Sequence, residues 1–117
     1  MQYLLLIYAN ETETAAMDPG ARETMTAEYM EFTKSIIQGG QFKAGDRLKP
    51  TSAASTVRVR SGKVSTTDGP FAETREQLGG YYLIEAKNVD AAIAIAARIP
   101  GAKNGSIEVR PVWPPNT

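Results

Sequence analysis

The sequence of 117 residues contains no histidine and no cysteine. These absences exclude a Ser-His-Asp triad, a cysteine nucleophile, a disulfide bond and any zinc, haem or iron–sulfur site that those side chains would ligate. Acid–base chemistry would have to use Asp, Glu, Lys or Tyr, and a metal ion would have to be a hard cation bound by oxygen atoms. We therefore predict a fold that needs no metal ion and no cofactor.

An excess of either charge is also missing, because 13 basic residues balance 13 acidic ones. Zero net charge argues against a protein whose main role is to bind nucleic acid or an anionic membrane. The apolar opening segment, residues 1–9, follows no basic region and is too short to span a bilayer. We expect a cytoplasmic protein with a single domain over residues 1–117, since that length suits one domain.

Hydrophobic periodicity predicts four principal strands and two principal helices. The first helix is indicated by Met25, Tyr29, Phe32 and Ile36 at steps of four, three and four, with a cap at Thr24 or Thr26 and an end at Gly39-Gly40. The second helix covers residues 91–99, with Asp90 as its cap. The four strands are predicted at residues 3–8, 41–48, 81–86 and 106–110.

Two further elements are predicted between the second and third principal strands. Residues 56–67 are typical of a β-hairpin with its turn at Ser61-Gly62. Residues 72–78 are predicted to form two helical turns. In the second principal strand, Phe42, Ala44 and Leu48 are expected on one face and Arg47 on the other.

The order β-α-β-hairpin-β-α-β predicts an α+β fold of the split βαβ, ferredoxin-like kind. Such a sheet has both helices on one face, yet the strands at residues 3–8 and 81–86 are apolar on both faces. Either loops or a second copy of the chain must cover the face without helices. We predict the second copy, and therefore a homodimer that packs sheet against sheet.

Residues 68–82, DGPFAETREQLGGYY, resemble the DGPF branch of the YCII-related family. The opening run at residues 3–8 and the closing run at residues 105–112 agree, so the resemblance covers nearly the whole chain. It implies a ferredoxin-like fold that dimerises into an α/β barrel, as in muconolactone isomerase-like proteins. It implies no general activity, and some members are encoded beside, or fused to, extracytoplasmic-function sigma factors.

The enzyme-like branch of the same family carries a histidine early in the first helix, proposed as part of a His-Asp pair. Alignment on Gly40 and Gly45 places Tyr29 at roughly that position. The proposed pair therefore cannot operate in this chain, and the resemblance does not transfer its activity.

Two carboxylates are predicted as catalytic residues. Asp68 either stabilises the Asp-Gly-Pro turn or presents a carboxylate at the mouth of a cleft. Glu73 lies closest to that turn, and on a helix it would share a side with Glu76, where the pair could bind Mg²⁺ or act as a general base. The alternative for both glutamates is a solvated helix face.

The predicted ligand-binding residues are Tyr29, Arg58, Phe71, Arg75 and Tyr81. Arg58 and Arg60 share a strand face and could clamp a carboxylate or phosphate, or they could pair with nearby glutamates. Phe71 either fills the core or stacks on a substrate, and the tyrosines either pack or donate a hydrogen bond to a ligand oxygen.

Two classes of function follow. The first is a dimeric protein that binds a small organic molecule in a cleft between sheet and helices, closed by residues 68–80, with proton-transfer or isomerase-type chemistry. The second is a regulatory module that interacts with a sigma factor. The sequence leaves open whether the protein is an enzyme.

Overall fold

Four strands form one antiparallel sheet in the computed structural model, which describes residues 1–115. The sheet has the order β2-β5-β1-β6, and a separate hairpin contains β3 and β4. The strands are β1 Gln2–Ala9, β2 Phe42–Arg47, β3 Ser55–Arg60, β4 Lys63–Asp68, β5 Gln77–Glu85 and β6 Ser106–Pro111. The helices are α1 Glu11–Ala15, α2 Pro19–Gln38 and α3 Val89–Ala96. The predicted α+β class and the order of its principal elements are confirmed.

The hydrophobic core lies between one face of the sheet and the helices α2 and α3. Leu5 on β1 is paired with Tyr82 on β5, and Tyr3 with Ile84, so these four side chains share the helix-facing side. The side chains buried in the core are Tyr3, Leu5, Phe32, Ile36, Tyr82, Ile84, Ala86, Ala92, Ile95, Ala96 and Ile99. Burial of this apolar surface is the main favourable term in the folding of the chain.

Helix α2 begins earlier than its apolar stripe indicates. Asp18 is the N-cap, and its Oδ1 accepts a hydrogen bond from the Ala21 amide at 2.8 Å, while Pro19 occupies the first helical turn. The predicted cap at Thr24 or Thr26 is wrong because both residues lie inside the helix. The predicted end is confirmed, since Gly40 follows the helix with φ +77°.

Helix α3 is capped by Asn88 rather than by Asp90. The Asn88 Oδ1 accepts a hydrogen bond from the Ala91 amide at 2.9 Å, and Asp90 lies in the first turn of the helix. A side-chain oxygen two residues earlier therefore satisfies the free amides of the first turn.

The segment between β4 and β5 contains no helix. The predicted helix over residues 72–78 is wrong, since β5 already begins at Gln77 and pairs with β1. Two isolated turns of helix are unstable in water, whereas pairing with β1 extends an existing sheet. Phe71 is 79% exposed, so the interpretation that it fills the core is also wrong.

The predicted hairpin is confirmed and projects from the rest of the molecule. Its turn residues Ser61 and Gly62 have φ of 52° and 75°, the two left-handed positions that a tight type I′ turn requires. Nearly all its side chains are exposed. The radius of gyration is 16.2 Å, against about 13 Å for a compact chain of this size.

The opposite face of the sheet carries a central apolar stripe. Leu4 is paired with Leu83, and Leu6 with Tyr81, so these four side chains share the side away from the core and all are partly exposed. The prediction that β1 and β5 are apolar on both faces is therefore confirmed. Among residues 1–115, both long helices pack on the other side.

We expect Ile36→Ala and Phe71→Ala to differ sharply in stability. Ile36 is 0% exposed, so its truncation should cost about 2–5 kcal/mol of unfolding free energy. Phe71 projects into solvent, so its truncation should change that free energy by less than about 0.5 kcal/mol. Urea denaturation followed by circular dichroism measures both, and a large loss in Phe71→Ala would contradict the exposed position.

Candidate functional site

A cavity of about 770 Å³ lies between α2 and the sheet, beside the edge that β2 and β5 form. Its position follows from uneven packing of α2. Phe32 and Ile36, in the second half of the helix, are buried against the sheet, whereas no residue in the first half is buried. Met25 and Tyr29 are only partly covered, and the space in front of them is the cavity.

A β-bulge in β2 turns Arg47 toward this cavity. Phe42 is paired with Ile84, Gly45 with Tyr82 and Arg47 with Gly80, with an irregularity between Phe42 and Ala44. The bulge adds one residue, so Arg47 shares the helix-facing side with Phe42. The strict alternation expected from the sequence, with Arg47 opposite Phe42, is therefore wrong.

Glycine at position 45 allows the Tyr82 ring to lie against β2. A Cβ atom at Gly45 would lie 2.8 Å from Cδ1 of Tyr82, so only glycine lets the Tyr82 ring cross β2 at this point. The ring then packs edge-on against Phe32 and Phe42, with centroids 5.2 and 6.4 Å apart. Tyr82 thus forms a wall between the core and the cavity.

The cavity walls are mainly apolar. Three of the four methionines in the sequence line it, together with two isoleucines and one phenylalanine: Met17, Met25, Met30, Ile7, Ile37 and Phe42. Methionine is flexible and polarisable, so such walls can adjust to ligands of different shape.

Two hydroxyl groups form an ordered chain at the cavity wall, and a third, on Tyr29, is bonded separately. The Thr33 hydroxyl donates to the Tyr29 carbonyl at 2.8 Å, so the Tyr82 hydroxyl must be the donor in the 2.7 Å bond to Thr33 Oγ1. The Tyr29 hydroxyl accepts from the Gly101 amide at 3.2 Å. Among residues 1–115, the Tyr29 hydroxyl proton has no acceptor.

Tyr29 and Tyr81 are held in their neutral form. Burial raises the pKa of Tyr29, and this effect exceeds the opposing ones of the Gly101 amide and the Arg47 charge. Tyr81 donates to Asp46 Oδ2 at 2.7 Å, and this hydrogen bond raises the pKa of Tyr81. At neutral pH both phenols are therefore hydrogen-bond donors rather than bases.

Cations outnumber anions around the cavity. Arg22, Lys34 and Arg47 line it, and Asp46 is the one carboxylate among the lining residues that the structure describes. Arg22 is occupied by hydrogen bonds to the carbonyls of Thr14 and Ala15, at 3.3 and 3.2 Å. Within residues 1–115, the side chains of Arg47 and Lys34 form no hydrogen bond and no ion pair.

Of the residues predicted from the sequence, Tyr29 and Tyr81 are among those that line the cavity, but the Tyr81 side chain lies on the opposite face of the sheet. The remaining five are exposed and lie outside the cavity lining: Arg58, Asp68, Phe71, Glu73 and Arg75. Their catalytic and binding roles stay predictions. The cavity does lie between sheet and helix, as the cleft was expected to lie.

The expected pairing of Glu73 with Glu76 on one helical side is wrong because the segment is not helical. Glu76 instead accepts a hydrogen bond from the Ser106 hydroxyl at 2.7 Å. No three acidic side chains in the described part of the chain lie close enough together to hold a metal ion. The two glutamates therefore form no joint site.

Sequence reasoning missed Arg47 and the methionines as parts of the site. A glycine inside a predicted strand indicates a bulge or a close approach, so Gly45 carried a usable signal for Arg47. Met25 and Met30 lie on α2 and Met17 lies before it; the apolar stripe that contains Met25 does not by itself distinguish a side that packs in the core from one that lines a cavity.

Comparison with known proteins gives the family. The family described as the YCII-related domain matches residues 1–116. The chain belongs to the YCII-related family. A relative from Rhizobium meliloti, described as an uncharacterized protein, is 37% identical over 114 residues, which cover 96% of this chain and 92% of the relative. The resemblance inferred from the sequence is confirmed for the family, and the DGPF branch stays a prediction.

One negative finding accompanies this assignment. In the described part of this YCII-related chain, no helix is both long enough and apolar enough to cross a membrane.

We expect Tyr29 to make folding stability fall at alkaline pH. Because its pKa is raised in the folded chain, the unfolded chain loses this proton first, from about pH 10 upward. The stability contribution is complete below that pH and is lost as pH rises through the folded pKa. Tyr29→Phe should therefore show a smaller loss between pH 9 and 11 (about one unit on either side of the ordinary tyrosine pKa).

Urea denaturation at a series of pH values measures this dependence, and tyrosinate absorbance gives the titration itself. An identical alkaline loss of stability in the wild type and in Tyr29→Phe would contradict the buried phenol.

Proposed function

We propose that this YCII-related protein binds a small organic molecule in the cavity between α2 and the sheet. The observation that carries the proposal is the cavity itself, whose volume of about 770 Å³ falls in the range usual for ligand sites. It combines mainly apolar walls with a few polar groups at one side, which is the composition such sites share.

Proton-transfer or isomerase-type chemistry would need a donor and a base at this cavity. Tyr29 is the donor that the geometry supports, because its hydroxyl proton is free and its pKa is raised. Asp46 is paired with Tyr81 and accepts its hydroxyl through Oδ2, so this carboxylate lies on the sheet face away from the helices and not beside Tyr29. We propose Tyr29, rather than Asp68 or Glu73, as the proton donor for any chemistry in the cavity.

The binding proposal predicts that a filled cavity abolishes ligand-induced stabilisation. Met25→Trp places a larger ring from α2 into the cavity, and Ile93→Trp, on the exposed side of α3, is the matched control. In a thermal-shift screen of metabolites, a ligand at 100 times its Kd should stabilise the wild type and Ile93→Trp by about 2.7 kcal/mol. Met25→Trp should show little of this stabilisation.

A screen without any stabilising compound would count against ligand binding. Hits that stabilise Met25→Trp as well as the wild type would place the ligand elsewhere. Either outcome would favour the alternative function, an interaction module for a partner such as an extracytoplasmic-function sigma factor, for which the projecting hairpin offers an accessible surface.

We also propose that the protein is a homodimer formed through the face of the sheet without helices, as an α/β barrel. Leu4, Leu6 and Leu83 form an apolar stripe there that neither α2 nor α3 covers. The hairpin adds a second apolar surface, since Val59 is paired with Val64 and both are exposed. One symmetric partner would bury such surfaces, and an isolated two-stranded hairpin is only marginally stable in water.

The dimer proposal predicts that Leu6→Arg disrupts assembly. The new charge would lie in the middle of the interface without a partner, and burial of an unpaired charge is strongly unfavourable. Ile93→Arg, on the exposed side of α3, is the control. Light scattering at micromolar concentration should give a dimer for the wild type and the control, and monomer or unfolded protein for Leu6→Arg. A monomeric wild type would overturn the proposal.

A further inference from the structure

We infer that the ligand of the cavity is an organic anion, an apolar body that carries a carboxylate or a similar oxyanion, and that Tyr29 and Arg47 bind its charged group. This inference rests on the proposed function and adds the chemical class of the ligand. It follows from the hydrogen bonds that are already made in the cavity and those that are left unmade.

The first argument is the direction of the hydroxyl protons. Tyr82 donates to Thr33, Thr33 donates to the backbone, and Tyr81 donates to Asp46. Tyr29 alone among these hydroxyls receives a hydrogen bond without giving one to a described residue. A donor without an acceptor at a partly buried wall matches a ligand that accepts hydrogen bonds.

The second argument is charge. The β-bulge directs Arg47 to the same side of the sheet as Tyr82, and its positive charge acts on the Tyr29 hydroxyl. Asp46, the neighbouring carboxylate, is engaged by Tyr81 and not by Arg47. Arg47 therefore presents a full guanidinium group, the side chain best suited to bind a carboxylate through two parallel hydrogen bonds.

The third argument is the apolar remainder of the cavity. The methionines, Ile37 and Phe42 form no favourable contact with a small inorganic anion. If such an anion bound, these apolar side chains would stay in contact with water. An aromatic or aliphatic body would bury them, and sulfur–aromatic contacts with the methionines would favour a ring. Charge at one side and apolar surface elsewhere together select an amphipathic anion.

Two fluorescent probes of nearly equal shape separate these effects. Anilinonaphthalene sulfonate carries an anionic group, whereas phenylnaphthylamine has the same rings without it. We expect Arg47→Gln to lower the affinity for the sulfonate probe by about tenfold and to leave the affinity for the neutral probe unchanged. Tyr29→Phe should lower the affinity for the sulfonate probe by a smaller factor, since it removes a hydrogen-bond donor that carries no charge.

Arg110→Gln is the control for loss of a positive charge on the opposite face of the sheet, where Arg110 forms an ion pair with Glu108. Arg110 is paired with Leu4 in the register of the sheet and lies outside the cavity lining. If the probes bound the exposed face of the sheet instead, Arg110→Gln would lower the affinity for the sulfonate probe, and Arg47→Gln would leave that affinity unchanged. Circular dichroism of each variant establishes that it is folded.

Competition extends the test to carboxylates. Phenylpropanoate should displace the sulfonate probe from the wild type at a much lower concentration than phenylpropanol, and this preference should shrink in Arg47→Gln. Inorganic phosphate alone should displace little, because it lacks an apolar body. Equal competition by acid and alcohol would overturn the inference.

The Met25→Trp variant distinguishes failure of this inference from failure of the proposed function. If neither probe binds, or if both bind Met25→Trp as well as the wild type, the cavity is not a ligand site and both proposals fall. If both probes bind the wild type more tightly than Met25→Trp but Arg47→Gln affects them equally, the cavity binds ligands and only the anionic class is wrong.

Discussion

The architecture depends on how α2 packs against the sheet. Its second half is fixed by Phe32 and Ile36, which insert between the helix and the side chains of β1 and β5. Its first half is positioned by its cap at Asp18 and by the Tyr29 hydroxyl bond to the Gly101 amide, with no buried apolar residue of its own. A helix held firmly at one end and loosely at the other leaves a cavity at the loose end. Stability and the cavity thus come from the two halves of one helix.

The same helix, together with α3, occupies a single face of the sheet, which leaves the other face uncovered. That consequence was accessible from the sequence, because β1 has apolar residues at consecutive positions and consecutive positions point to opposite faces. The order of the principal strands and helices was accessible for a related reason. Apolar runs of strand length alternate with helical periodicity, and each is bounded by glycine, proline or a polar segment.

The errors have a common physical origin in competition between local and distant partners. Residues 72–78 have helical spacing, but the sheet offers Gln77 and Leu78 the backbone of β1 as a partner. Phe71 is a large apolar residue that a local pattern assigns to the core, yet the chain carries it away from both helices. Arg47 follows the alternation of a regular strand only if no bulge precedes it. In each case the outcome depends on a neighbour remote in sequence, which local spacing does not contain.

Tyrosine at position 29, where the resemblance to the enzyme-like branch places a histidine, gives the cavity a different chemical character from the one proposed for that branch. A histidine titrates near neutral pH and can both take and give a proton. A phenol with a pKa raised by burial stays protonated, so it can donate a hydrogen bond but cannot act as a base at that pH. With Arg47 directed to the same cavity, the polar side of the site supplies donors and positive charge. Such a site stabilises an anionic oxygen, whether that oxygen belongs to a bound carboxylate or develops on a carbonyl during isomerisation. A tyrosine at this position therefore supplies no proton carrier near neutral pH but can stabilise an oxyanion electrostatically together with Arg47, and this is the property that the proposed binding of an organic anion would use.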